Sequence, residues 1–208
     1  MQKLIRSVNK LKNAPIKKTI DDRILSFKAL GKNNTGEIFK ELCFCIMTAN
    51  FSADRGIEIQ NKIGDGFLSA SGSAMAKKLK VCGHRFPNAR AKYIVEARKH
   101  KTALAKQLGS QMSDAHIREW ISENINGLGL KESSHFLRNI GRDNCAIIDF
   151  HIVDILVEHG LIKDPKTLTK KTYLEIETVL KKLASKLKLT LAELDLYLWY
   201  LETGKVLK

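Results

Sequence analysis

Apolar residues recur at three- and four-residue intervals along almost the whole chain, a spacing that suits one face of an α-helix and not the alternation of a strand. Leu4, Ile5, Val8 and Leu11 make one such face, and Ile117, Trp120, Ile121 and Ile125 another. Leu174, Ile176, Val179, Leu180, Leu183 and Leu187 repeat the pattern, while Ile38, Phe39, Leu42, Phe44, Cys45 and Ile46 suggest a helix buried nearly all round. Only three prolines interrupt these segments. Ser113 has the position of an N-cap, Thr190 and Glu193 have capping-box spacing, and Gly204 is placed to stop a last helix over Leu191–Leu201. Cys145-Ala146-Ile147-Ile148 is the single short extended candidate. The fold is predicted to be all-α.

With 208 residues, 44% of them hydrophobic, the chain can bury one large or two small cores. No apolar run approaches the roughly 18–20 residues of a membrane-spanning helix. The N-terminal MQKLIRSVNKLKN is basic but lacks the unbroken apolar stretch and small-residue cleavage site of a signal peptide. A soluble, intracellular, cytoplasmic protein is therefore expected. Lys and Arg number 36 against 22 acidic residues, a net charge of +14. That imbalance favours a polyanionic partner, because neutralising phosphates releases counterions, although it also serves plain solubility. Cys43, Cys45, Cys82 and Cys145 lack the paired spacing of a zinc or redox site, and their apolar neighbours mark them as reduced packing residues.

The most informative stretch runs from Ile125 to Gly141. An amphipathic helix is predicted to end at Asn126, Gly127-Leu128-Gly129 to form a hairpin, and a second helix to carry Ser133, Phe136, Leu137 and Ile140. Two glycines around one apolar residue permit a tight turn, with the apolar side chain packed between the helices. Such a hairpin directs backbone N–H groups outward at a helix start, where the dipole also favours an anion. It would clamp a phosphate without reading sequence. A Gly-x-Gly alone is also an ordinary C-capped turn; the flanking helices and the charge favour the clamp.

Lys131 falls in the first turn of the second helix, with its charge beside the positive end of the dipole. At a lysine's ordinary pKa of about 10.4, only about one molecule in 2,500 is neutral at pH 7, whereas a helix N-terminus and partial burial both lower that pKa. The position is poor for a salt bridge and suitable for a nucleophile. Asp149 reads as the N-cap of a helix ending near Gly160. Capping alone accounts for it. If it also faced Lys131, its carboxylate would stabilise positive charge developing on a sugar.

Gly127-x-Gly129-x-Lys131, followed by Asp149, resembles the glycosylase branch of the helix-hairpin-helix superfamily. Within it, ELCFCIMTANFSA, GHRF, KESSHFLRNIG, AIIDFHI and ELDLYLWYLETGKVLK are similar to the archaeal-type (type-two) 8-oxoguanine DNA glycosylase/AP lyases, from about Glu41 to Lys208. The resemblance implies that Lys131 is a Schiff-base nucleophile and Asp149 the assisting carboxylate. It implies two helical lobes with the active-site cleft between them: a central barrel over 25–141, ending in the helix-hairpin-helix, and a second lobe from 1–24 with 142–208. Relatives with an iron–sulfur cluster hold it on four C-terminal cysteines, and no cysteine follows Cys145, so that cofactor is not expected. No cofactor is required, though the hairpin carbonyls suit a monovalent cation. The expected partner is double-stranded DNA containing an oxidised guanine, bound by a monomer. Phe150 departs from the basic residue expected there in some relatives.

In the turn bounded by Gly83 and Pro87, Arg85 beside Phe86 suits a wedge that fills the gap left by an extruded nucleotide. A loop aromatic folded onto the core is the competing reading. His135 is read as a packed or capping histidine. Trp199 suits stacking on a base or a place in the core. Val206 and Leu207 can dock the chain's end, and the similarity of TGKVLK to the family places Lys208 near the base. Two other functions stay open: a glycosylase of the same fold for another oxidised base, and a helix-hairpin-helix DNA-binding module without catalysis.

Overall fold

The computed structural model describes residues 1–208 and contains thirteen α-helices, one 3-10 turn and no strand. They are α1 (Gln2–Lys12), α2 (Ile16–Leu30), α3 (Thr35–Thr48), α4 (Ala53–Ile63), α5 (Gly66–Ser69), α6 (Gly72–Val81) and α7 (Pro87–Ala97). After the 3-10 turn Arg98–His100 come α8 (Lys101–Leu108), α9 (Asp114–Asn124), α10 (Leu130–Asn139), α11 (Phe150–Glu158), α12 (Lys170–Leu187) and α13 (Leu191–Thr203). No helix is long and apolar enough to cross a membrane.

Two apolar cores organise these helices. The first is built on α3, buried at Phe39 and from Glu41 through Thr48, with α4 to α10 packed around it. The second gathers Leu4 and Val8 of α1, Ile20 and Phe27 of α2, and the inner faces of α11, α12 and α13. The predicted lobe boundary near residue 25 falls within α2, whose Phe27 lies in the second core while Leu30 packs against the first.

Cysteines behave as packing residues: Cys43, Cys45 and Cys145 are buried, Cys82 packs at the edge of the first core, and none is bonded to another. Burial pushes the Cys145 thiol up to about 12, out of reach of thiolate chemistry at neutral pH.

The chain passes from one core to the other through 145–148. Cys145 points into the first, and Ala146 and Ile148 into the second. This segment pairs with no strand. Its backbone is satisfied by side chains of α12: Ala146 N–H donates to Glu177 Oε1 at 2.9 Å, Tyr173 donates to the Ala146 carbonyl at 2.7 Å, and Ile148 N–H donates to the Tyr173 hydroxyl at 3.3 Å. Glu177 is itself buried and paired with Arg118 of α9 at 2.5 Å. Burial opposes its ionisation, yet the Arg118 and Ala146 hydrogen bonds keep its carboxyl below the usual range. Removing one partner of such a pair typically costs about 3–5 kcal/mol, because the other charge stays buried and alone.

Candidate active site

A cavity of about 780 Å³ opens between the two cores. Lys131, His135 and Arg138 reach it from α10, Ile147 to His151 from the segment entering α11, Asp195 and Trp199 from α13, and Leu207 and Lys208 from the chain's end. The loop after α3, from Asn50 to Ser52, closes the remaining side. Lys131, Asp149, Trp199 and Lys208, far apart in sequence, thus line one cleft.

The hairpin before α10 sets the direction of Lys131. Helix α9 stops at Asn124, two residues before the predicted end, because Ile125 turns to extended backbone (φ −110°, ψ 107°) and buries its side chain in the first core. Gly127 has φ +87°, and a Cβ there would stand 2.6 Å from the Tyr93 ring, so glycine is required by conformation and by space. Leu128 is buried in the first core, as its place between two glycines suggested. Gly129 caps α10 in extended backbone with no side chain on the first amides, leaving N–H groups free at the positive helix end. Lys131 follows, 29% exposed along its side chain, with Nζ 3.6 Å from Glu132 Oε1.

Opposite, Asp149 caps α11 through Oδ1, which accepts from Ile152 N–H at 3.0 Å. One oxygen thereby fixes the carboxylate, and the group remains on the cleft wall. The cap engages Oδ1 alone and does not occupy Oδ2. Asp195 lies deeper, paired with Arg138; burial, despite that arginine, pushes its carboxyl above the usual range. The Trp199 indole lines the cleft beside His151, ring centres 5.1 Å apart, and its N–H is buried without a partner. An indole N–H buried that way is available to a ligand. Phe150 lines the cleft with its side chain exposed, its ring centre 4.0 Å from that of His151 and the two rings tilted by 36°.

His135, a packed or capping histidine by its sequence, packs edge-on against Phe44. It is also a cleft residue whose Nε2 is buried and unpartnered. Sequence reasoning missed that role because a histidine on a buried helical face is indistinguishable from a core residue until the facing wall is known. Burial, and then the charges of Arg138 and Lys131, hold its pKa well below 6.5, so the imidazole is neutral at pH 7. The unfolded chain takes up a proton at His135 near pH 6.5 and the folded chain does not, so stability is lost as pH falls below that value. One such group contributes a slope of up to about 1.4 kcal/mol per pH unit. His84, lowered mainly by burial, acts in the same direction. Denaturant titrations between pH 7.5 and 5 are expected to show a shallower slope for His135→Gln than for the unaltered protein; equal slopes would mean that His135 takes up its proton in the folded state.

The end of the chain is docked. Val206 packs against the second core, Leu207 lines the cleft, and Lys208 Nζ donates to Glu41 Oε2 at 2.9 Å.

Arg85 and Phe86 lie outside the cleft lining, on the turn between α6 and α7. Phe86 is 37% exposed, so part of its ring faces solvent. Arg85 stands 5.0 Å from its ring centre. The turn is stiff because His84 is bonded at both nitrogens. Phe86 N–H donates to Nδ1 at 3.0 Å, so the proton sits on Nε2, which donates to the Met47 carbonyl at 2.9 Å. Arg90 similarly donates to the Ala49 carbonyl at 2.5 Å, and His84 stacks on Phe51. The exposed pair is therefore bracketed to the loop after α3 that lines the cleft.

A family model described as 8-oxoguanine DNA glycosylase matches residues 20–189. The 8-oxoguanine DNA glycosylase/AP lyase of Methanocaldococcus jannaschii is 50% identical over 206 residues, covering 99% of both chains. The crystal structure of the M. jannaschii 8-oxoguanine glycosylase/lyase in complex with a 15mer DNA containing 8-oxoguanine superimposes with a TM-score of 0.95 over 99% of each chain. That of the Thermotoga maritima 8-oxoguanine DNA glycosylase, 39% identical, gives 0.93 over 100% of this chain and 99% of the other.

Proposed function

The chain belongs to the 8-oxoguanine DNA glycosylase family, and from that premise we propose that it excises 8-oxoguanine from duplex DNA and cuts the strand at the resulting abasic site. The observation that carries this reading is the single cleft in which Lys131 of α10 and Asp149 at the start of α11 share the lining.

In this mechanism the neutral amine of Lys131 attacks C1′ of the extruded nucleotide. The N-glycosidic bond breaks, and the base leaves with the bonding pair and takes up a proton. The Asp149 carboxylate offsets positive charge that develops on the sugar. The sugar ring opens to an imine on Lys131; loss of a C2′ proton then expels the 3′ phosphate by β-elimination. No step calls for a metal or organic cofactor. Gly127 and Gly129 present the α10 N–H groups to a phosphate, and Arg85 and Phe86 fill the space left in the duplex. Trp199 and Lys208 recognise the base. Oxidation turns guanine N7 from an acceptor into a donor, so a fixed acceptor at the docked tail separates lesion from guanine better than shape does. The barrel 25–141 supplies the nucleophile, and the lobe of 1–24 with 142–208 supplies the carboxylate. The enzyme acts as an intracellular monomer on double-stranded DNA.

The test is a panel of duplexes, each with one lesion, incubated with and without borohydride. Preferential cutting and covalent trapping on 8-oxoguanine is expected. Preference for an oxidised pyrimidine would move the enzyme to another lesion, and absence of any adduct would leave a DNA-binding module.

A further inference from the structure

Glu41 is a buried acid in a helix otherwise committed to apolar packing: from Leu42 to Met47 every residue of α3 is buried and hydrophobic. Its carboxylate accepts three hydrogen bonds. Asn139 donates to Oε1 at 2.7 Å, and Gln60 and Lys208 donate to Oε2 at 3.1 Å and 2.9 Å. Lys208 Nζ also donates to Gln60 Oε1 and stands 4.4 Å above the Phe44 ring. Lys208 is the one ion-pair partner of Glu41.

Stability does not explain this arrangement. Buried ion pairs are often matched or surpassed by apolar side chains of similar volume. What the carboxylate does achieve is connection. Asn139 Oδ1 accepts from Arg138 at 2.9 Å and 3.1 Å, and Arg138 pairs with Asp195 on the far cleft wall. One chain of bonds thus runs from Asp195 through α10, the helix that carries Lys131, to the last residue of the tail. Glu41 itself does not line the cleft. Val206 packs against the second core, and the second ion pair of the tail, Lys205 to Asp54 at 3.0 Å, joins two half-exposed side chains and holds little by itself.

We propose that Glu41 is a positioning residue for base selection: it sets where the cleft-lining tail, Leu207 and Lys208, stands relative to the nucleophile's helix. Lesion discrimination then depends on a carboxylate that touches no base. This rests on the reading that Lys208 takes part in base recognition, and the experiment separates the two.

Glu41→Gln keeps the size of the side chain but sets an amide donor among three donors, whereas Glu41→Asp keeps the charge on a shorter stem. Single-turnover rates are measured on 8-oxoguanine, guanine and preformed abasic sites, with hydrogen exchange read over residues 205–208. A third variant lacks Lys208. For Glu41→Gln the ratio of 8-oxoguanine to guanine excision is expected to fall at least about tenfold, a part of the roughly 10⁴-fold discrimination that a fixed hydrogen-bonding partner can itself supply. Exchange in the tail rises with it, and Glu41→Asp recovers part of both. If Glu41→Gln slows all three substrates in proportion while its unfolding temperature drops, Glu41 is only a core residue and the proposal fails. If removing Lys208 lowers the ratio and Glu41→Gln does not, the positioning role fails while base recognition by the tail stands. An unchanged ratio after removal of Lys208 overturns that underlying reading instead.

Discussion

Lys131→Gln is expected to abolish borohydride trapping and to lower strand cutting at 8-oxoguanine by at least about 10³-fold, because a missing nucleophile removes the whole covalent route and not one contribution to it. Duplex binding should stay within about threefold, since phosphate contacts, not this amine, dominate affinity. The side chain is partly exposed and its ion pair with Glu132 is long, so glutamine fits the site without a cavity. Substrate trapping is read on denaturing gels, and binding by fluorescence anisotropy at fixed salt. A borohydride-stable adduct in the variant would place the nucleophile on another residue.

The second large effect is expected from Asp149→Asn. Asparagine caps helices about as well as aspartate, and the Oδ1 acceptor for Ile152 N–H is preserved. The unfolding temperature should therefore barely change. The rate of base release should nevertheless fall by about 10²–10³-fold, the usual consequence of removing a preorganised charge from the place where charge develops. Single-turnover kinetics on 8-oxoguanine duplex, set beside a thermal melt, separate the two roles of this side chain. An unchanged rate would reduce Asp149 to a cap.

The two residues differ in how far the sequence alone could take them. Asp149 as a cap was legible, because an N-cap bonds an amide three residues ahead and every participant is adjacent in sequence. Asp149 and Lys131 on one cleft was not legible from spacing; it came from resemblance, and the structure brings them to a common lining. The aromatic ambiguities divide similarly. Helical spacing left Trp199 between core and cleft, and what decides it is the neighbour: the indole lines the cavity beside His151 with its N–H unpartnered. Phe86 was equally open; the buried His84 anchors the turn to the Met47 carbonyl and to Phe86 N–H, and the Phe86 ring is left partly exposed. Glu41, Arg138, His135 and Asp195 gave little warning. Three of them sit on buried helical faces where a polar side chain can be matched by any facing element, and the lone acid in the apolar run of α3 was the one available signal.

By itself the sequence determined what depends on neighbours within a turn or two of helix: the all-α class, the caps at Ser113, Asp149 and Thr190, the stop at Gly204 and the tight hairpin at Gly127–Gly129. These follow from periodicity and from local hydrogen bonds, whose partners the sequence itself specifies. Tertiary structure alone decided which helical faces meet. It ended α9 at Asn124 because burying Ile125 outweighed another helical residue, and it kept 145–148 free of strand pairing because Glu177 and Tyr173 satisfy its backbone. It also carried the ammonium of Lys208 across to Glu41 on α3. A buried charge accepts any partner that brings opposite charge and good geometry, and that partner is chosen by the packing of distant helices, which no local pattern encodes.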